Sequence, residues 1–329
     1  MNTDLLPTNT PAELARAIAR AVELLTLGEP VALPTETVYG LAADATRADA
    51  AVKIFDAKQR PFFDPLIVHL PDLEWLERIA RADSPLVAKL LAAFWPGPLT
   101  LILPRRDLVP DIVTSGLATV AVRMSDHPVF RAIASAFGKP LAAPSANPFG
   151  RISPTTAQHV LDGLDGRIPL IVDGGPCVVG IESTIIAVEG ERLRILRAGP
   201  ITPEDLAAFG EVEFATLCAT PDAPGQLKSH YAPRTTLRLA EHRTSNIEHR
   251  TSKCGLLAFT SPEDAIGFAA IEVLSPTGDL REAAATLFAK LRSLDDAGLD
   301  LILAEAVPDH GLGIAIMDRL RKAAADRSD

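Results

Sequence analysis

VALPTETVYGLAADATRADAAVKIFDAKQRPFFDPLIVHL, residues 31–70, is the stretch on which the fold turns. It opens on a short apolar run, VAL at 31–33, and passes a hydroxyl-rich turn with Thr35 and Thr37. It then carries a Lys-x-Arg pair, Lys58 and Arg60, and closes on PLIVHL at 65–70, an apolar run ending around His69. Short β-rich apolar runs bounded by turn residues read as buried strands. The pattern continues outward with PLTLIL at 98–103, TVAVR at 119–123, PLAAP at 140–144 and PLIVDG at 169–174, alternating with helical spacing. STIIAV at 183–188 and RLRILRAG at 192–199 read as a further strand pair. Strands mixed with helices in this way predict the α/β class: a twisted open mixed sheet with flanking helices.

Upstream, Thr10-Pro11-Ala12-Glu13 is a capping box with proline in the first turn, and it predicts a helix that Gly28 closes. Downstream, TPEDLAAFG is a short helical pattern, after which residues 211–235 lose periodicity and read as a linker. The first domain is therefore expected to span 1–210 and the second 236–329. The second carries strand runs TLRLA, GLLAF and IEVLS, then a helix over 279–297 with Leu280, Ala284, Leu287, Leu291 and Leu294 on one stripe. LDLILAEAV and a final helix complete a smaller Rossmann-like unit, without the GxGxxG fingerprint that would imply a dinucleotide. A duplicated EHRTS, at 241 and again at 248, reads as a surface-loop insertion.

Composition narrows the function. A formal charge of -10 offers no field that would draw a polyanion onto the chain. Cys177, Cys218 and Cys254 are scattered, which argues against a disulfide framework or zinc ribbon. MNTDLLPTNTPAEL lacks a basic and an apolar signal region, and no later stretch approaches the roughly 20 apolar residues a membrane span requires. The expectation is a cytoplasmic protein.

Three segments carry candidate chemistry. In the first, fixed cations Lys58 and Arg60 stand beside donors of a strand-to-helix turn, the combination an oligophosphate needs. Taken singly, Thr35 and Thr37 also fit turn hydroxyls, Lys58 and Arg60 a solvated helix end, and His69 a satisfied core histidine. The second is APSANPFGRISPTTAQHV from Ala143, in which Ser145 and Asn147 follow a strand and Ser153-Pro154 reads as the N-cap of a helix. The third sets Ser183, Thr184 and Arg197 at strand ends on one side of the sheet.

The strings PTETVYGL, KxRPxxxPLIVHL, VAVRMxDHP, APSAN, ESTI, LRxG and HYAPR occur here in the order seen in the Sua5/YrdC family, and the closing GLGxAIxDRLRKAA resembles the end of its Sua5-specific domain. The likeness covers about residues 11–325. It implies a YrdC-like catalytic domain and a nucleotidyltransferase that makes threonylcarbamoyl-AMP from ATP, threonine and bicarbonate, with loss of pyrophosphate. That adenylate serves the t6A37 modification of ANN-decoding tRNAs, reached only indirectly through a separate transferase. By position, Thr37, His69, Arg123, Ser183 and the backbone of Ala143 would hold threonine. Lys58, Arg60, Asp64, Thr119, Ser145, Asn147, Ser153 and Arg197 would meet ATP, joined by His230 and Tyr231 of the linker acting as a lid; packing of the linker onto either domain is the other reading of Tyr231. Mg2+ is expected with the nucleotide. Asp64 stands where the family usually has Asn, and Met317 replaces a polar residue of the closing helix. Two other readings stand beside this one: a carbamoyl-adenylate-forming enzyme, whose zinc-finger CxxC pairs are missing here, and a non-catalytic nucleotide- or RNA-binding regulator.

Overall fold

The computed structural model describes residues 2–215, 225, 227, 229–240, 253–264 and 266–325. The EHRTS duplication and Cys218 lie outside them. Fifteen strands are assigned among these residues: β1 (Asp4–Pro7), β2 (Val31–Leu33), β3 (Gly40–Asp44), β4 (Ile67–His69), β5 (Leu99–Pro104), β6 (Thr119–Arg123), β7 (Leu141–Ala142), β8 (Leu170–Asp173), β9 (Thr184–Glu189), β10 (Arg192–Arg197), β11 (Glu211–Phe214), β12 (Thr236–Leu239), β13 (Cys254–Ala258), β14 (Ala270–Val273) and β15 (Leu301–Ala304). The α-helices are α1 (Pro11–Thr26), α2 (Ala48–Lys58), α3 (Leu76–Ile79), α4 (Pro85–Phe94), α5 (Asp111–Thr114), α6 (Pro128–Phe137), α7 (Ala157–Leu164), α8 (Pro203–Leu206), α9 (Leu280–Asp296) and α10 (Leu312–Ala324).

Two compact units result. The first comprises Met1–Phe149, Pro154–Val178 and Glu182–Gln226; the second comprises Gly150–Ser153, Val179–Ile181 and Leu227–Asp329. The first unit holds a mixed eleven-stranded sheet in the order β1-β8-β2-β3-β7-β4-β6-β5-β9-β10-β11. The capping box at Thr10 and Glu13 forms in both directions, at 3.2 and 3.0 Å, and starts α1 where the sequence places it. A large core that includes Ile54, Phe55, Val68, Leu101, Val120 and Val122 fills one side of the sheet.

Three features depart from the sequence reading. GLAAD at 40–44 forms the buried strand β3, which Gly and Ala, weak strand formers, do not announce. Glu211–Phe214, read as the start of the linker, is β11 and pairs in parallel with β10; its Val212 and Phe214 alternate with acids as a strand should. Ser153 does not cap a helix. The Pro154 carbonyl accepts from Tyr39 N–H at 2.9 Å and that of Thr155 from Cys177 N–H at 2.9 Å, so neither is left for a helical turn. Helix α7 starts instead behind Thr156, whose hydroxyl accepts from His159 N–H at 3.2 Å.

The second unit carries an all-parallel four-stranded sheet, β12-β15-β13-β14. Helix α9 buries Ala283, Ala284, Leu287, Phe288, Leu291 and Leu294, in line with the predicted stripe, although Leu280 is only half-buried. Met317 is buried in α10.

Candidate active site

Strand alternation and register gather the candidate residues. Successive side chains along a strand point to opposite faces, and residues paired across strands share a face. On β6, Val120 and Val122 enter the main core, so Thr119, Ala121 and Arg123 face the other way. On β4, Val68 enters that core, so His69, paired with Arg123, joins the opposite face. The register through Val68 and Ala142 puts Ala143 there too. Thr100 on β5 pairs with Ile185 on β9, which places Ser183, just ahead of β9, on the same side. An irregularity between Ile195 and Arg197 then brings Arg197 opposite Ile185. A small apolar cluster of Ile67, Ala121, Ile185, Ala187 and Leu196 floors this face. The glycine of LRxG serves the same approach of chains, since a Cβ on Gly199 would lie 2.4 Å from Thr184 N.

Arg123 is the centre of one pocket. Its Nη1 donates to Thr37 Oγ1 at 3.0 Å and its Nε to the Gly97 carbonyl at 3.3 Å. Its Nη2 meets Glu36 Oε1 at 2.6 Å as an ion contact, off the hydrogen-bond direction. Glu36 Oε2 accepts from the Ser125 hydroxyl at 2.5 Å. Thr35 Oγ1 braces the turn, accepting from Thr37 N–H at 3.1 Å and Val38 N–H at 3.2 Å. Burial pushes the Glu36 carboxyl up, but Arg123 and the Ser125 hydroxyl outweigh it and bring it down to about 2. His69 is buried against Phe130, ring centroids 4.9 Å apart, with no hydrogen-bond partner at Nδ1. Burial first, then the positive charge of Arg123, lowers its imidazole to about 3, so it is neutral at physiological pH.

A second cluster is built where α2 ends. Gln59 at its C-cap takes the left-handed conformation, φ 54°, which turns the chain so that Arg60 N–H bonds the Phe55 carbonyl at 2.9 Å. Lys58 is fully buried, not a solvated helix end, and its Nζ donates to the carbonyls of Ser145 at 2.5 Å and Asn147 at 2.6 Å. Burial, followed by repulsion from Arg60, lowers its pKa well below the usual lysine range. Arg60 donates to the carbonyls of Asp64 at 3.0 Å and Pro65 at 2.8 Å and lies 2.9 Å from Asp64 Oδ2. Arg197 donates to the Ser183 carbonyl and hydroxyl, both at 3.0 Å, and Ser183 shares a 2.8 Å hydroxyl contact with Thr100.

The sequence-derived residues therefore meet, with exceptions. Thr119 sits half-buried at the start of β6, and Ala143 N–H bonds the Ile67 carbonyl at 2.9 Å. Ser153, buried, falls with residues 150–153 in the second unit. His230 and Tyr231 belong to that unit too, where Tyr231 stacks on Phe288 at 5.6 Å under the Arg319 guanidinium and holds φ 63°. Tyr231 thus packs against α9 and α10 of the second unit. Glu36, Ser125, Thr100 and Glu182 were not singled out. Glu36 lies between the two threonines of the motif, and Ser125 two residues past Arg123; their contact spans 89 positions, which no local pattern reveals.

Comparison with known proteins gives the family. Residues 23–199 match the Sua5/YciO/YrdC family, described as "Telomere recombination", and residues 201–325 match the C-terminal domain of threonylcarbamoyl-AMP synthases. The threonylcarbamoyl-AMP synthase of Bacillus subtilis is 42% identical over 341 residues, covering 99% of this chain and 96% of the relative. The crystal structure of Pyrococcus abyssi Sua5 complexed with L-threonine superposes with a TM-score of 0.88 at 36% identity, covering 98% of each chain. A structure of the same protein with an adjacent histidine and tyrosine both changed to alanine gives a TM-score of 0.89 at 36% identity over 98% of this chain and 96% of that one. The chain belongs to the Sua5/YciO/YrdC family of threonylcarbamoyl-AMP synthases, in the two-domain Sua5 form.

Proposed function

We propose that this enzyme condenses L-threonine, bicarbonate or CO2, and ATP into threonylcarbamoyl-AMP with release of pyrophosphate, acting as a nucleotidyltransferase in the cytoplasm. The observation that carries the reading is the placement of Arg123, His69, Ser183 and Arg197 on one sheet face, with a buried lysine and arginine at the end of α2 in the same unit. Arg123 takes the threonine carboxylate with its planar fork, and Thr37, His69, Ser183 and the Ala143 backbone surround the amino acid. The neutral His69 adds no charge beside a bound zwitterion. The threonine complex of the Pyrococcus abyssi protein supports this half.

In the reaction, the threonine amine adds to CO2 and loses a proton, giving N-carboxythreonine. A new carboxylate oxygen attacks the α-phosphorus, the bond to the bridging oxygen breaks, and pyrophosphate leaves with the electron pair. No covalent protein intermediate is required; positioning and charge stabilisation suffice. Lys58, Arg60 and Arg197 stabilise the phosphates, with Thr119, Ser145, Asn147 and Ser153 as polar contacts. His230 and Tyr231 are assigned to the nucleotide on their sequence pattern.

Mg2+ would arrive on the nucleotide. No group of three or more His, Cys, Asp or Glu able to hold a metal occurs among the described residues, and Asp64 faces Arg60. Substrate oxygens would hold the ion, which when bound neutralises charge on the leaving pyrophosphate.

The adenylate passes, as the family resemblance implies, to a separate transferase that modifies tRNA; the chain's charge of -10 offers no field for direct tRNA capture. Pyrophosphate release that requires ATP, threonine and bicarbonate together supports the assignment. Equal release with threonine omitted overturns it, and nucleotide binding without turnover favours a regulator.

A further inference from the structure

Asp64 is a buried acid that the first unit does not satisfy. Its exposure is 0%, and neither carboxylate oxygen has a hydrogen-bond partner among the described residues. The Arg60 contact at 2.9 Å is an ion contact only, because the Arg60 Nε and Nη2 hydrogen bonds go to the backbone of residues 64 and 65. Lys58 acts on Asp64 from the end of α2, Arg60 from the loop that follows, and Arg197 from the end of β10; Glu182, ahead of β9, acts in turn on Lys58. A buried ionised group without hydrogen bonds is unfavourable even beside opposite charge. Here burial outweighs the three cations, and the Asp64 carboxyl is raised above its ordinary value.

We propose that Asp64 enters the nucleotide complex as the neutral carboxylic acid, taking one proton from solvent and donating its O–H to a phosphate oxygen. The proposal rests on the reading of Lys58, Arg60 and Arg197 as the phosphate site. An anionic phosphate in that site draws on the same three cations that oppose protonation of Asp64, and adds like charge beside it. Both effects favour protonation. The proton comes from the buffer, the carboxylate charge falls from −1 to 0, and no bond of the nucleotide changes. A protonated carboxyl presents one donor and one acceptor, where the carboxylate presents acceptors alone to a ligand that is all acceptors.

The test is calorimetric binding of Mg-ATP, without threonine, to the full chain and to Asp64→Asn, in buffers of contrasting ionisation heat from about pH 6 to about pH 9. Wild type is expected to take up as much as one proton more per nucleotide than the variant, and its affinity to fall about tenfold per pH unit relative to the variant once free Asp64 is ionised. Nucleotide and metal ionisation are common to both and cancel. Equal proton counts with parallel pH profiles overturn the proposal. If the variant does not fold, a carboxylic-acid carbonyl band that appears in the wild-type infrared difference spectrum on nucleotide binding upholds it, and its absence overturns it. If the folded wild type binds no ATP, the phosphate-site reading itself fails and the proposal falls with it.

Discussion

Arg123 meets Glu36 at 2.6 Å and Arg60 meets Asp64 at 2.9 Å, both pairs buried in the first unit, yet the two carboxylates are driven in opposite directions. Burial raises both. For Glu36 that penalty is overcome, and the group ends at about 2; for Asp64 it is not, and the group stays above its ordinary value. The visible difference is a hydrogen bond. Ser125 donates to Glu36 at 2.5 Å, whereas no donor reaches either oxygen of Asp64 with hydrogen-bond geometry. Nearness to a cation alone does not keep a buried acid ionised; donors must complete it. The Arg123 pocket is built around a carboxylate that a hydroxyl donor completes, while the carboxylate beside Arg60 has no such donor among the described residues.

The comparison can be broken most forcefully by removing the cations. Arg123→Met leaves a charged Glu36 buried beside Ser125 and is expected to cost about 3–5 kcal/mol at neutral pH, read by urea unfolding. Arg60→Met is expected to cost less, because Asp64 can protonate, and its loss should grow as pH rises. Equal losses with the same pH dependence would erase the distinction.

Neutralising the acids sharpens it. The folded-state pKa of Glu36 is depressed, so its contribution is present above the unfolded value of 4.5 and is lost as pH falls towards about 2. Glu36→Gln should therefore destabilise by about 3 kcal/mol at pH 7 and by progressively less below pH 4.5. The raised Asp64 has the opposite sign: its favourable contribution belongs to low pH and is lost as pH rises, so Asp64→Asn should stabilise the protein at neutral pH. Thermal melting of the two variants across pH checks both signs, and a stabilising Glu36→Gln would contradict this account.

The sequence carried the sheet further than it carried the pockets. TVAVR and STIIAV match β6 and β9 to within a residue at each end, because β-branched residues are dense in both. GLAAD lacks that chemistry and became a strand only because buried neighbours pair with it on both sides, β2 and β7. The arginines and His69 were legible through ordered motifs. The acidic partner of Arg123 was not, since Glu36 finds Ser125 and Arg123 only when strands distant in sequence come together. Lys58 misleads in isolation for the same reason: its burial depends on carbonyls of Ser145 and Asn147, the former 87 positions away.

The central claim is a division of labour, in which the Arg123 pocket takes the amino acid and the Lys58–Arg60 pocket takes the phosphates. Its most direct test is separate calorimetric titration of Arg123→Lys with threonine and with Mg-ATP. Lysine keeps the charge that Glu36 needs but loses the planar fork that grips a carboxylate. Threonine affinity is predicted to fall by about tenfold or more, the equivalent of roughly 1.4 kcal/mol, while ATP affinity stays at the wild-type value. Unchanged threonine affinity, or a loss confined to ATP, would contradict the assignment of the two pockets.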